Sequence, residues 1–189
     1  QFIFAIQALE AADEDNDVEI SLQCVGGALG ATDALIHAMR KCKGNIHIIA
    51  TGGCHSSASL ILLEADTFEL SENFSSLVHC GSLGNIGNFN EYKSQAVFDA
   101  KHMESVMRNS YEGFLSEAEI ENLLDGKDFW FNAQDWYHRH VARNEYLRNK
   151  QEQEQIRQME EALAEQSKFN KDVETVKKAT RKRTAATTE

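Results

Sequence analysis

The sequence lacks several features that mark particular classes of protein. It has no apolar run of membrane-spanning length and no recognisable signal peptide, so neither a membrane-embedded nor a secreted protein is expected. Its four cysteines include no CxxC pair, which argues against a zinc or disulfide framework and favours free thiols in a reducing compartment such as the cytoplasm. Proline is absent altogether, and nothing else in the sequence explains that absence.

Basic residues are also scarce relative to acidic ones. The chain carries 19 lysines and arginines against 30 aspartates and glutamates, a formal net charge of −11. Such a balance argues against a general nucleic-acid binder, whose affinity comes from neutralising phosphates. No spacing of residues implies a metal or an organic cofactor. The length of 189 residues predicts one domain with an extension.

One stretch, residues 46–65, combines elements that suggest chemistry. A short β-branched run, residues 46–50, predicts a buried strand, and Gly52 and Gly53 are expected to break it. Three serines follow, and then an apolar helix. This order places a serine at a helix N-terminus, where free backbone amides could stabilise an oxyanion. The same serines would equally suit a plain helix cap, so the stretch alone leaves both interpretations open.

The remaining pattern predicts alternating helices and strands. Strands are expected over 18–22, 46–50, 67–70, 75–78 and 129–131, and helices over 2–9, 31–40, 60–65, 90–111, 116–124 and 133–141. Ser116 and Glu119 form a capping box at the start of one helix. Helix and strand in alternation predict an α/β fold around a mostly parallel sheet.

The composition changes near residue 142. Residues 142–178 are rich in charged and amide side chains, and Ile156, Met159 and Leu163 form their only clean apolar seam. This predicts a polar helical extension, followed by a basic, disordered tail over 179–189. The folded domain is therefore expected to cover residues 1–141.

Two glycine turns carry a resemblance to a known family. Residues 24–29, CVGGAL, resemble the family motif S-P-G-G, and residues 53–60, GCHSSASL, resemble the motif G-Q-A-A-S-M-G-A. His79 closes the strand region 74–78, a Leu-Gly pair follows at 83–84, and residues 124–133 resemble the segment with the family's acidic residue. In these features, over about residues 1–141, the chain resembles the Clp protease proteolytic subunit, the ClpP family of serine peptidases.

The resemblance implies a ClpP/crotonase-like fold and a Ser-His-Asp triad. In this alignment of the motifs, Ser57 is the nucleophile, His79 the general base and Asp125 the residue that orients His79, with Asp99 and Asp128 as competitors for the third role. The backbone amides of Gly26, Gly27 and Ala58 would form the oxyanion hole. Gly81, Leu83 and Gly84 would bind an extended peptide substrate. The family's first strand and axial loop have no counterpart in the sequence.

The resemblance also implies partners, and it leaves more than one function open. Polypeptide substrates, a seven-membered homo-oligomeric ring stacked through residues 90–111, and an AAA+ unfoldase are expected. A capsid scaffold would be the partner if the protein were a viral capsid-maturation protease, found in the host cytoplasm or virion. A catalytically silent ClpP-like subunit or an enoyl-CoA hydratase-like enzyme would also fit a fold of this kind.

Overall fold

The computed structural model describes residues 2–82, residue 84 and residues 88–185, with side chains as far as Phe169. The chain divides into two compact units, residues 1–143 and residues 144–189. Its elements are α1 (Ile3–Ala11), β1 (Asp17–Cys24), α2 (Leu29–Lys41), β2 (Asn45–His55), α3 (Ser57–Leu62), β3 (Thr67–Leu70), β4 (Ser75–Val78), α4 (Phe89–Ser110), α5 (Glu117–Leu124), β5 (Phe129–Asn132) and α6 (Ala133–Ala185).

The first unit is organised around a five-stranded, mostly parallel sheet. The central strand, β2, pairs in parallel with β1 along one side. On its other side β2 pairs in parallel with β3 over His47–Ala50 and with β4 over Gly53–His55. Only β5 runs antiparallel, against β4. The predicted α/β fold with a mostly parallel sheet is confirmed.

Strand β2 is longer than the sequence predicts. Gly52 and Gly53 were expected to end it, yet the strand continues as far as His55. Its last residues are held from both sides, since Cys54 pairs with Cys24 of β1 and with Ser76 of β4. Gly53 pairs with Ser75 of β4, so the strand continues through the glycines despite their low strand propensity. The turn into α3 therefore begins at Ser56.

Helices α2, α4 and α5 bury apolar side chains at helical spacing, whereas every residue of the short α3 is buried. In α5, Ile120 and Leu123 are buried three positions apart, and the predicted capping box is present: Ser116 Oγ accepts from the Glu119 amide, and a Glu119 carboxylate oxygen accepts from the Ser116 amide. The start of α6 contributes Trp136, fully buried against Phe114 and Phe131. These contacts join the end of the sheet to the helices that follow it.

The second unit is helical as far as Ala185. Helix therefore includes residues 179–185, which the sequence predicts to be disordered, while residues 186–189 lie outside the described part. The seam residues Ile156, Met159 and Leu163 are all exposed, so within the described residues this unit has no apolar core. Over the same part of the chain, no helix combines the length and apolarity that crossing a membrane requires.

Candidate active site

The turn between β2 and α3 holds Ser56 in an unusual backbone conformation. Its φ is 54° and its ψ is −129°, and it is the one residue other than glycine with positive φ in the described part of the chain. Such a conformation costs of order 1–3 kcal/mol and persists only where the surroundings enforce it. Here the Ser56 amide donates to the Leu77 carbonyl of β4 (2.7 Å), and the Ser56 carbonyl accepts from Ser59 Oγ (2.6 Å).

The strained turn directs the Ser56 hydroxyl at His79. Ser56 Oγ lies 2.8 Å from His79 Nε2, within ordinary hydrogen-bond distance. His79 directly follows β4, and Ser56 directly follows β2, which are parallel neighbours in the sheet. Both side chains are half-buried, so the pair is reachable from solvent. A serine bonded to an imidazole is the arrangement that activates a hydroxyl as a nucleophile.

Ser57, which the sequence predicts to be the nucleophile, lies elsewhere. Its side chain is 5% exposed, and its Oγ accepts from the Gly27 amide (2.9 Å) and donates to the Gly27 carbonyl (3.3 Å). The structure therefore brings Ser56, not Ser57, to His79. The physical reason is the position of the turn: β2 ends at His55, so Ser56 occupies the turn beside His79, whereas Ser57 is the first residue of α3.

The predicted oxyanion residues surround this turn. Gly26 has φ of 96°, and a Cβ there would lie 2.7 Å from the His55 carbonyl oxygen and from Ser56 Cβ, so only glycine allows the close approach. Gly27 borders open space, but its amide is bonded to Ser57 Oγ. Ala58 is the second residue of α3, and the first amides of a helix have no intrahelical acceptor.

Asp125 is not brought to His79. It caps the C-terminus of α5 and is exposed, and over the described residues no carboxylate is hydrogen-bonded to His79. Of its competitors, Asp99 in α4 is half-buried and Asp128, just before β5, is exposed. The carboxylate near this corner that has a cationic partner is Glu119, whose pKa falls to about 2 chiefly because Arg139 donates to it at 2.7 Å.

A pocket of about 240 Å³ opens beside Ser56 and His79. Five of its lining residues are large and mostly apolar: Leu29, Leu60, Met103, Met107 and Tyr111. The sequence does not identify them as part of the site, because their spacing is that of ordinary helix-core positions. Gly81, predicted to bind substrate, also lines the pocket. Gly84 is exposed and is not among the lining residues, and Leu83 lies outside the described residues.

Two further groups near the site, one thiol and one phenol, stay protonated at neutral pH. Cys80 borders the pocket next to His79, but burial raises the pKa of its thiol, so it is not a thiolate nucleophile at neutral pH. Tyr111 is fully buried, bonds to Ser59 Oγ at 2.7 Å, and has a raised pKa because of burial, so it stays protonated. Among the described residues no cluster of three or more potential ligands could hold a metal ion.

Comparison with known proteins agrees with this architecture. No curated protein matches the chain. The family model described as Clp protease matches residues 1–138, which include both glycine turns, Ser56 and His79. The match extends over most of the chain and almost all of the first unit. The chain therefore belongs to the Clp protease family.

Proposed function

We propose that the protein is a serine endopeptidase in which Ser56 is the nucleophile and His79 the general base. The observation that carries the proposal is the 2.8 Å contact between Ser56 Oγ and His79 Nε2, made by a serine with φ of 54°. Membership of a family of serine peptidases supports the same reaction class. The accessible side chain of Ser56, in contrast to the buried Ser57, supports this choice of serine.

The proposed reaction proceeds through an acyl-enzyme. His79 Nε2 takes the proton of Ser56 Oγ as that oxygen bonds to the carbonyl carbon of the substrate. His79 then gives the proton to the leaving amine, and water releases the acyl group by the reverse roles. The amide of Ser57, first in α3 and adjacent to the nucleophile, is placed to donate to the developing oxyanion.

The pocket suggests which substrates are cleaved. Its lining includes two leucines, two methionines and a buried tyrosine, and its volume of about 240 Å³ suits one side chain. An apolar side chain next to the scissile bond would gain from burial there, whereas a charged one would lose its hydration. We therefore expect polypeptide substrates with an apolar residue on the acyl side of the cleaved bond.

Assembly is a second part of the proposal. The Clp protease family generally forms oligomeric rings that act on polypeptides. Helix α4 carries exposed apolar side chains, with Phe89 80% and Phe98 66% exposed together with Tyr92 and Val97, which supports self-association through this helix. A ring of seven, a cytoplasmic or virion location and an unfoldase or scaffold partner stay predictions. Light scattering that finds an active monomer at micromolar concentration would contradict the ring.

Peptide hydrolysis tests the proposed activity. The wild-type protein and the Ser56→Ala variant would be assayed on fluorogenic peptides that carry leucine or aspartate before the scissile bond. We expect turnover of the leucine peptide, loss of at least about a thousandfold in the variant, and little turnover of the aspartate peptide. Equal rates for wild type and Ser56→Ala would refute Ser56 as nucleophile. A folded, oligomeric wild-type protein with no turnover would favour the catalytically silent subunit.

A further inference from the structure

The Ser57 hydroxyl links the two turns that form the candidate site. Its Oγ accepts from the Gly27 amide at 2.9 Å and contacts the Gly27 carbonyl oxygen at 3.3 Å, although the two residues are 30 positions apart in the chain. Ser57 and Gly27 both line the pocket that contains Ser56 and His79. The Gly27 amide therefore donates to the hydroxyl of Ser57, the residue that follows the proposed nucleophile.

The two hydrogen bonds of this hydroxyl differ in strength. The bond that Ser57 Oγ accepts has ordinary length, whereas the bond it donates is long for an O–H donor. A hydroxyl hydrogen can rotate about the C–O bond without displacement of the oxygen. It would therefore turn from a weakly bonded carbonyl to an anionic oxygen at low cost, since hydrogen bonds to ionised acceptors are about twice as strong.

We propose that the Ser57 hydroxyl is a side-chain donor of the oxyanion site, with the Gly27 amide behind it as a polarising donor. The inference rests on the proposed function, in which Ser56 attacks the substrate. As the Ser56 Oγ–carbon bond forms, the carbonyl π electrons move to oxygen and the Ser56 proton moves to His79. Ser57 O–H then donates to that oxygen while Oγ still accepts from Gly27, and no covalent bond of Ser57 changes.

Two other roles of the Ser57 hydroxyl would change the rate or the binding in different ways. If the hydroxyl merely blocked the Gly27 amide, its removal would free that amide for the oxyanion and raise the rate. If it only held the two turns together, its removal would weaken every kind of ligand. The test therefore needs a measure of turnover, a ligand that forms a tetrahedral anion, and a ligand that does not.

The experiment compares wild type with Ser56→Ala, Ser57→Ala and Ser57→Thr in the full chain. Each protein is assayed for kcat and KM on the leucine fluorogenic peptide and for affinity toward a peptide boronate, which forms a tetrahedral anion, and the matching product peptide, which does not. For Ser57→Ala we expect kcat to fall about a hundredfold, KM and product affinity to stay within about twofold, and boronate affinity to fall with kcat. Ser57→Thr, which keeps the hydroxyl, should restore kcat to within about tenfold of wild type.

Several outcomes would overturn the inference. An unchanged or higher kcat in Ser57→Ala, or equal losses for boronate and product, would each do so. If Ser56→Ala is inactive and Ser57→Ala keeps the wild-type kcat, the inference is refuted and the proposed function stands. If Ser56→Ala is fully active, the proposed function itself is refuted. If the melting curve shows that Ser57→Thr does not fold, Ser57→Cys replaces it. The cysteine thiol is a weak donor, so the kcat of Ser57→Cys should match that of Ser57→Ala. A wild-type kcat in Ser57→Cys would contradict the inference.

Discussion

The two sides of the predicted triad are built in different ways. Ser56 and His79 follow β2 and β4, whose parallel pairing sets His55 opposite Leu77. Residues just beyond two neighbouring parallel strands emerge at the same edge of the sheet, so sheet pairing alone brings these side chains together. Asp125 instead ends α5, in an exposed turn that precedes the antiparallel β5.

The difference shows which positions a sheet determines. The register of β2 against β4 leaves little freedom for Ser56, whose amide is also bonded to Leu77. Near the α5–β5 corner the part-buried polar contacts do not involve Asp125: Arg139 donates to the Phe114 carbonyl and to Glu119. The base side of the site is thus fixed by strand pairing, while the predicted acid side is a solvated helix end. Substitutions on the two sides should therefore differ widely in their effect on turnover.

The largest effect is expected at the base. His79→Ala removes the acceptor of the Ser56 proton, so kcat on the leucine peptide should fall by about a thousandfold while the fold is retained. The matched control is His102→Ala, an exposed histidine that stacks on Phe98 in α4 and should leave kcat within about twofold. Comparable losses in both variants would mean that the 2.8 Å contact has no special role.

The next effect is expected in the free energy of unfolding at acid pH. His140 of α6 is fully buried and stacks on Phe68 at 4.5 Å, and burial, followed by the charge of Arg143, lowers its pKa to about 4. The unfolded chain binds this proton below about pH 6.5, so the stabilisation is complete above that pH and is lost as pH falls toward 4.

Denaturant unfolding between pH 7 and pH 4 measures this effect. The histidine should account for roughly 3 kcal/mol of the lost free energy of unfolding, and His140→Phe, which keeps a ring against Phe68, should remove that share. His138→Gln, an exposed change in the same helix, should retain the wild-type slope. An identical pH dependence in His140→Phe would show that its proton is not linked to folding.

A smaller effect is expected at the hydrogen bond between Tyr111 and Ser59. Tyr111→Phe removes the hydroxyl that bonds to Ser59 Oγ, while Ser59 can still donate to the Ser56 carbonyl. The free energy of unfolding should fall by about 1 kcal/mol, the usual net value of one hydrogen bond. Because the Ser56 turn keeps its own bonds, kcat should change by less than about fivefold. A loss as large as that of His79→Ala would place Tyr111 in the chemistry.

The smallest effect is expected on the acid side. Asp125 is exposed and has no hydrogen bond to His79 over the described residues, so Asp125→Asn should leave kcat and its pH profile within about twofold of wild type. Lys127→Gln, in the same exposed turn, is a control for changes of surface charge. A fall of more than about a hundredfold in Asp125→Asn alone would show that the residue reaches His79 in the active assembly.

Much of the fold could be predicted from the sequence because its signals are local. Alternating apolar runs identified the strands, and the Ser116–Glu119 box fixed the start of α5. His79 was found because it follows a strand at the sheet edge where sites collect. The limit of β2 could not be predicted, because its last residues, Gly53–His55, are held by pairing with β4, which is distant in the sequence.

The choice between Ser56 and Ser57 depends on the register of the motif alignment. With glycines at both 52 and 53, the motif G-Q-A-A-S-M-G-A can be aligned from either one, and the two alignments select Ser56 or Ser57. Nothing local distinguishes two adjacent serines at a strand end. Tertiary pairing does, since it fixes the turn at Ser56, gives that residue positive φ and buries Ser57 against Gly27. The adjacent glycines were a signal that both registers had to be considered.

The most direct test identifies which serine reacts. The wild-type protein would be labelled with a fluorophosphonate, digested, and analysed by fragmentation mass spectrometry that separates Ser56 from Ser57. We expect the adduct on Ser56, no labelling of Ser56→Ala, and labelling that depends on His79. An adduct on Ser57, or equal labelling of Ser56→Ala, would contradict the assignment of Ser56 as the nucleophile.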